Sequence, residues 1–253
     1  QQNYTCGNCL TSELAPAGFC EYQSWGDWTA PSADLEEAFG VTPLQNPSSR
    51  PATDTRRKAT MMMAGDTYNQ WWSDKGGFDY IKFLYDKNYA PGSNEGLQSA
   101  TGANIAKHLY GDDADHVKTF GISAGKQTSS LSTHVLRLSD VYLIYAEAKI
   151  GNNESTTDAS AIDAYYEVWH RARPTLFDKP SSISLDDVLK ERRLEFAFEG
   201  DYWFDLVRMS YYNVEKAMNI IKNQKRNGYE GLGDLYKAYY NKGAGNGPWN
   251  VDE

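Results

Sequence analysis

Cysteine and histidine are scarce in this 253-residue sequence. There are three cysteines, Cys6, Cys9 and Cys20, and four histidines, His108, His116, His134 and His170. A Cys6-x-x-Cys9 pair with Cys20 could ligate zinc only by recruiting one of those distant histidines. A disulfide between two of the three in an oxidising exterior is the competing reading, and it leaves one thiol over. Positive charge is also short: 25 Lys and Arg stand against 34 Asp and Glu, for a net charge of -9 and a pI near 5.0. A phosphate-backbone partner is therefore not expected. No apolar run is long enough to cross a bilayer, and no signal-peptide pattern opens the chain. A Gly-rich phosphate loop, a nucleophile elbow and a metalloprotease helix are all missing, so His134 and His170 read as surface or core residues rather than catalysts. Asp112-Asp113-x-Asp115 lacks the Gly and terminal Glu of an EF-hand and reads as a solvated acidic turn. No cofactor is expected; calcium is conceivable but not indicated.

Aromatic residues, by contrast, are abundant: 13%, with 18 Tyr and 7 Trp. Each of these side chains joins an apolar face to a polar tip, which suits sugar-ring stacking as well as a core. Two groups fall in stretches with little regular pattern: Tyr22, Trp25 and Trp28, and Tyr68, Trp71 and Trp72. Tryptophans without periodic partners are unusual as core residues, and Asp27, Asn69, Gln70 and Asp74 stand close by to meet hydroxyl groups. These six are the candidate ligand-binding residues. The alternative is a satellite apolar cluster beneath long loops.

The chain is large enough to bury a sizeable core. Residues 1–130 read as irregular and loop-rich, with Ser32 opening a short helix over 33–39, a proline-rich loop over 41–55, a short apolar strand within 59–64 and one further helix near 104–110. Residues 131–223 read as helical. Leu136, Leu138, Val141, Tyr142, Leu143, Ile144 and Tyr145 are apolar nearly all round, the mark of a buried helix that needs neighbours on several sides. Asp158 opens a second helix closed by Pro174, Ser184 a third, Asp201 a fourth, and 214–223 a fifth. Residues 224–253 read as a Gly- and Asn-rich, loop-rich tail. One compact unit is expected, mainly α, with helical hairpins, long irregular loops and a few short strands.

The chain is organised around residues 191–209. Ser184 with Asp187 three residues on makes a capping-box start. Glu191-Arg192-Arg193-Leu194-Glu195-Phe196-Ala197-Phe198-Glu199 then places three glutamates at i, i+4 spacing, a repulsive arrangement unless cations intervene. Arg192, Arg193 and Arg208 can do so, while Gly200 supplies the stop. A glycosidase would need two carboxyls across a cleft with their pKa values pushed apart. Carboxylates neutralised by neighbouring arginines stay ionised and make poor general acids. The residues favour a scaffold over a catalytic site.

Arg137 and Asp140 open the first helix, which continues into Ala146-Glu147-Ala148. Arg171 and Arg173 follow, then Glu191 to Gly200, then Trp203-Phe204-Asp205-Leu206-Val207-Arg208. In this order the motifs resemble the C-terminal signature of the SusD/RagB family, surface glycan-binding lipoproteins of Bacteroidetes, over roughly residues 133–210. The structural signature residues are Arg137, Asp140, Glu147, Glu191, Arg192, Arg193, Glu195, Glu199, Trp203, Asp205 and Arg208. Tyr202 departs from the pattern, which usually has a basic residue there. The resemblance implies tetratricopeptide-like helical hairpins, although no 34-residue repeat is legible. It also implies a lipid anchor on the outer face of the outer membrane in the full-length protein, an oligosaccharide ligand, and a SusC-like TonB-dependent transporter as partner. Family members are about twice as long, so the chain is expected to be the C-terminal half of such a protein, with the N-terminal half as a further partner. No enzymatic activity is expected. The alternatives are a peptide-capturing member of the same family and, less favoured, a glycoside hydrolase.

Overall fold

Several helix starts are capped by side chains. The computed structural model describes residues 30–90, 96, 97, 99–109, 113–123, 132 and 134–243. Within these, Ser32 accepts from Leu35 N at the start of α1 (Ala33–Ala38), and a five-residue helix, α2 (Arg56–Thr60), follows. Asp79 accepts from Ile81 N and Lys82 N to open α3 (Tyr80–Tyr85), and α4 is Asp113–Phe120. Arg137 stands at the N-cap of α5 (Leu138–Ile150), and Asp158 caps α6 (Ala159–Ala172) by accepting from Ser160 N at 2.8 Å. The Ser184–Asp187 capping box is reciprocal at the start of α7 (Leu185–Glu195), as expected: Asp187 N donates to Ser184 Oγ at 3.1 Å and Ser184 N to Asp187 Oδ2 at 2.9 Å. Then come α8 (Asp201–Tyr212), α9 (Val214–Lys222) and α10 (Leu232–Lys242). The strands are two residues each: β1 (Met61–Met62) pairs antiparallel with β4 (Asn104–Ile105), β2 (Thr67–Tyr68) with β3 (Phe78–Asp79), and β5 (Ser155–Thr156) with β6 (Ile183–Ser184). The chain is mostly helical with a few short strands.

The chain divides into two units: residues 1–50, 58–132 and 225–253, and residues 51–57 and 133–224. The first is built on an aromatic core in which Trp72, Phe78, Tyr80, Phe83 and Tyr236 are all but sealed from solvent. Helix α10 contributes Leu232, Tyr236 and Tyr239 to it, so the tail read as loop-rich holds a three-turn helix in that core. Its glycines obscured the pattern, yet Gly231 and Gly243 only bracket the helix, both at positive φ. The helix expected near 104–110 is instead strand β4 followed by a turn, because Asn104 and Ile105 pair with the buried Met61–Met62 strand.

In the second unit α5 packs on α6 and α7. Leu143, Ala146 and Ile150 meet Ile162, Tyr165, Val168, Val188 and Phe196 in its core. Two expectations need correcting here. Helix α5 is not buried all round: Leu138, Val141, Ile144 and Tyr145 on its outer side are exposed, because α6 and α7 cover only one side of it. Nor does Gly200 stop α7. The helix ends at Glu195, Phe198 turns the chain at φ 63°, and Gly200, at φ 98°, forms the N-cap of α8.

Candidate functional site

The charged stretch of α7 lies inside the second unit in two ionic clusters. In the first, Glu195 is almost completely buried and receives Arg56 at 2.9 Å, with Arg137 and Arg171 converging on the same carboxylate. Arg137 also holds Glu199 in a two-pronged grip at 2.7 and 2.9 Å, and Glu191 receives Arg56 at 2.7 Å and Arg173 at 3.1 Å. Asp54 completes the cluster through Arg56 at 2.7 Å and Arg173 at 2.8 Å. In the second, Arg192 binds both oxygens of Asp205 at 3.0 and 3.1 Å and reaches Asp140 on α5. Arg208 spans Asp205 and Glu147, each at 2.8 Å. The repulsive i, i+4 glutamates are thereby each paired with at least one guanidinium group from outside α7. Bidentate arginine pairs fix orientation as well as distance, so the clusters set how the helices meet.

These clusters are poor acid–base machinery. Burial alone would push the Glu195 carboxyl up, but hydrogen bonds from Arg137 and Arg56 outweigh it and hold the group down to about 2. Against the effect of burial, Asp54 above all, with Glu191 and Glu195, raises the Arg56 guanidinium above its ordinary value. Neither group can deliver a proton near neutral pH. Arg193 and Tyr202, where the sequence departs from the resemblance, form a cation–π pair at 4.9 Å, which gives that tyrosine a structural partner.

A carboxyl shifted strongly the other way is in the first unit. Glu36 is fully buried, and desolvation pushes it up to about 8 despite the downward pull of Thr101 and Arg50. It has the protonation state of a general acid but no exposure through which to act.

Of the six expected ligand-binding aromatics, Tyr22, Trp25 and Trp28 lie outside the described residues. Tyr68, Trp71 and Trp72 are in the core, at 3%, 7% and 0% exposure. Tyr68 stacks on Trp71 at 4.2 Å, and Trp72 meets Phe78 edge-on at 5.2 Å. Their lack of helical or strand period arises because Trp72 is held in a left-handed turn, with its amide donating to the buried Asp115 at 2.5 Å. Asp115 also accepts from Ser73 N and Ser73 Oγ, so the acidic turn expected to be solvated contributes a buried cap. As placed, these three rings offer no stacking surface. Sequence reasoning missed the second unit's outer aromatics: Trp203, Phe204, Tyr211 and Tyr212 of α8, and Tyr166, Trp169, His170 and Phe177 on and after α6. All but Phe177 stand in helices, away from the irregular stretches in which loop aromatics were sought. No group of three or more His, Cys, Asp or Glu side chains able to hold a metal occurs among the described residues, and Cys6, Cys9 and Cys20 lie outside them. No described helix is long and apolar enough to cross a membrane.

Packed helices tied together by buried arginine–carboxylate clusters characterise one unit, and an irregular aromatic core the other, a mainly helical class of protein. The particular family follows from comparison with known proteins: the SusD family model matches residues 25–246, and the chain belongs to that family. It is 34% identical over 177 residues to a SusD-like protein of Bacteroides ovatus, an overlap that covers 69% of this chain and 28% of that one. Its fold is similar to a protein crystallised with a xylogluco-oligosaccharide, at TM-score 0.62 and 30% identity over 87% of this chain and 38% of that one. A second solved structure matches at the same TM-score and identity, over 86% of this chain and 37% of the other. The chain thus spans between a quarter and two fifths of the proteins it matches.

Proposed function

We propose that this chain is part of a cell-surface glycan-binding protein that captures an oligosaccharide and passes it to a TonB-dependent outer-membrane transporter. The observation that carries the reading is the likeness to the xylogluco-oligosaccharide complex, at 30% identity within the same family. The depressed Glu195 carboxyl supports binding over hydrolysis. Attachment of the full-length protein by a lipid to the outer face of the outer membrane belongs to the same proposal, as does capture by Tyr22, Trp25 and Trp28.

A further portion of a longer chain is proposed as a partner. The exposed apolar side of α5, with Leu138, Val141, Ile144 and Tyr145, supports it.

The test is tryptophan-fluorescence titration with xylogluco-oligosaccharides and a panel of other soluble glycans, alongside a peptide library. Saturable binding of a glycan without its cleavage is expected. Binding confined to peptides, or turnover of a glycan, would overturn the reading.

A further inference from the structure

Helix α6 carries aromatic rings at positions i, i+3 and i+4: Tyr166, Trp169 and His170. Phe177, from the loop between Pro174 and Pro180, lies against the last of them. The ring centroids run in sequence, with Trp169 5.8 Å from Tyr166, Tyr166 5.1 Å from His170 and His170 5.4 Å from Phe177. The first three planes lie within 22–23° of their neighbours, so the rings form a continuous staircase rather than separate surface residues.

The staircase is held from outside the helix. The Arg173 guanidinium sits 5.1 Å from the Trp169 ring and is itself fixed by Asp54 and Glu191 in the buried ionic cluster. The Lys179 ammonium lies 5.5 Å from the Tyr166 ring and pairs with Asp163. Phe177 then stands 74% exposed between two prolines, which restrict the loop that presents it. Folding leaves that ring in water although Phe is among the residue types most often buried. A ligand that covered it would recover the lost apolar burial without ordering a floppy side chain. Polar groups flank the row as well: Lys179, over Tyr166, and its partner Asp163 both have exposed side chains.

Pre-oriented apolar rings edged by a few charged hydrogen-bonding groups match what a sugar offers, a CH face together with hydroxyls on its rim. We infer that the row Trp169–Tyr166–His170–Phe177 is an oligosaccharide subsite on the helical unit, with Phe177 as its open stacking face and Asp163 and Lys179 meeting hydroxyl groups. The inference rests on the glycan-binding reading and adds to it a site made of residues other than Tyr22, Trp25 and Trp28.

Calorimetric titration of the 253-residue chain with a xylogluco-oligosaccharide, and with whichever panel glycan binds best, tests it. The comparison set is wild type, Phe177→Ala, Phe177→Tyr and Trp25→Ala/Trp28→Ala. Phe177 is exposed, so its truncation should leave the melting temperature unchanged. The expected result is an affinity loss of about tenfold for Phe177→Ala, equivalent to ~1.4 kcal/mol, with near wild-type binding restored by Phe177→Tyr. If wild type binds and Phe177→Ala binds equally well, the subsite is wrong while the glycan-binding function stands. If wild type binds no glycan in the panel, both fall together.

Discussion

Replacing Glu195 by glutamine removes one negative charge from the centre of the larger ionic cluster. The side chain is 2% exposed and receives Arg56, Arg137 and Arg171, so three guanidinium groups lose their shared counter-charge at once. Arg171 is itself largely exposed, and its share is discounted for solvent screening. The carboxyl is depressed from 4.5 to about 2; at ~1.4 kcal/mol per unit this difference corresponds to about 3 kcal/mol of stabilisation of the ionised form. Breaking a buried pair by removing one partner costs about 3–5 kcal/mol in general, so the two routes agree. The sign is fixed by the depressed value: the stabilisation is complete above pH 4.5 and is lost as pH falls through about 2. Urea unfolding followed by circular dichroism at pH 7 should show Glu195→Gln less stable by ~3 kcal/mol. The gap should close as both proteins are taken to acid. A loss under ~1 kcal/mol at pH 7, or parallel acid limbs for variant and wild type, would refute the argument that this cluster holds the helices together.

Two further predictions concern the first unit. Glu36 is raised from 4.5 to about 8, so its protonated form is the stable one: the stability it contributes is complete below pH 4.5 and is lost as pH rises through about 8. The ceiling on that loss is about 5 kcal/mol, and Glu36→Gln should flatten the decline in melting temperature between pH 5 and pH 9; parallel curves would sink the assignment. Gly102, at φ +78°, would place an added Cβ 2.6 Å from Pro43 Cβ and 2.8 Å from the Tyr236 hydroxyl. Gly102→Ala should therefore cost ~2–4 kcal/mol through strain and overpacking together. Gly76→Ala, at φ +84° with nothing within 4 Å, should cost ~1 kcal/mol. Thermal unfolding of the two variants separates crowding from backbone strain, and equal losses would show that crowding at Gly102 is absent.

The sequence alone determined the parts written in local chemistry. Asp158 and Ser184 cap their helices where their side chains can reach the free amides two or three residues on, and Arg137, Asp140 and the Glu191–Arg208 stretch declared the family because their spacing is a property of the chain itself. The same stretch showed that the three glutamates needed cations, but not which. Arg56 and Arg173 come from positions 139 and 22 residues away from Glu195, and only folding brings Arg56 to it and Arg173 to Glu191. Tertiary structure also decided the fate of the aromatics. Periodicity says that a side chain repeats along one face but not whether anything covers that face. Trp71 and Trp72, without a period, are buried because a left-handed turn folds them inward onto Phe78, whereas Val141 and Ile144, in a helix apolar all round, face outward because α6 and α7 pack on one side only. Burial depends on which neighbours arrive, and that is settled by contacts far apart in the chain.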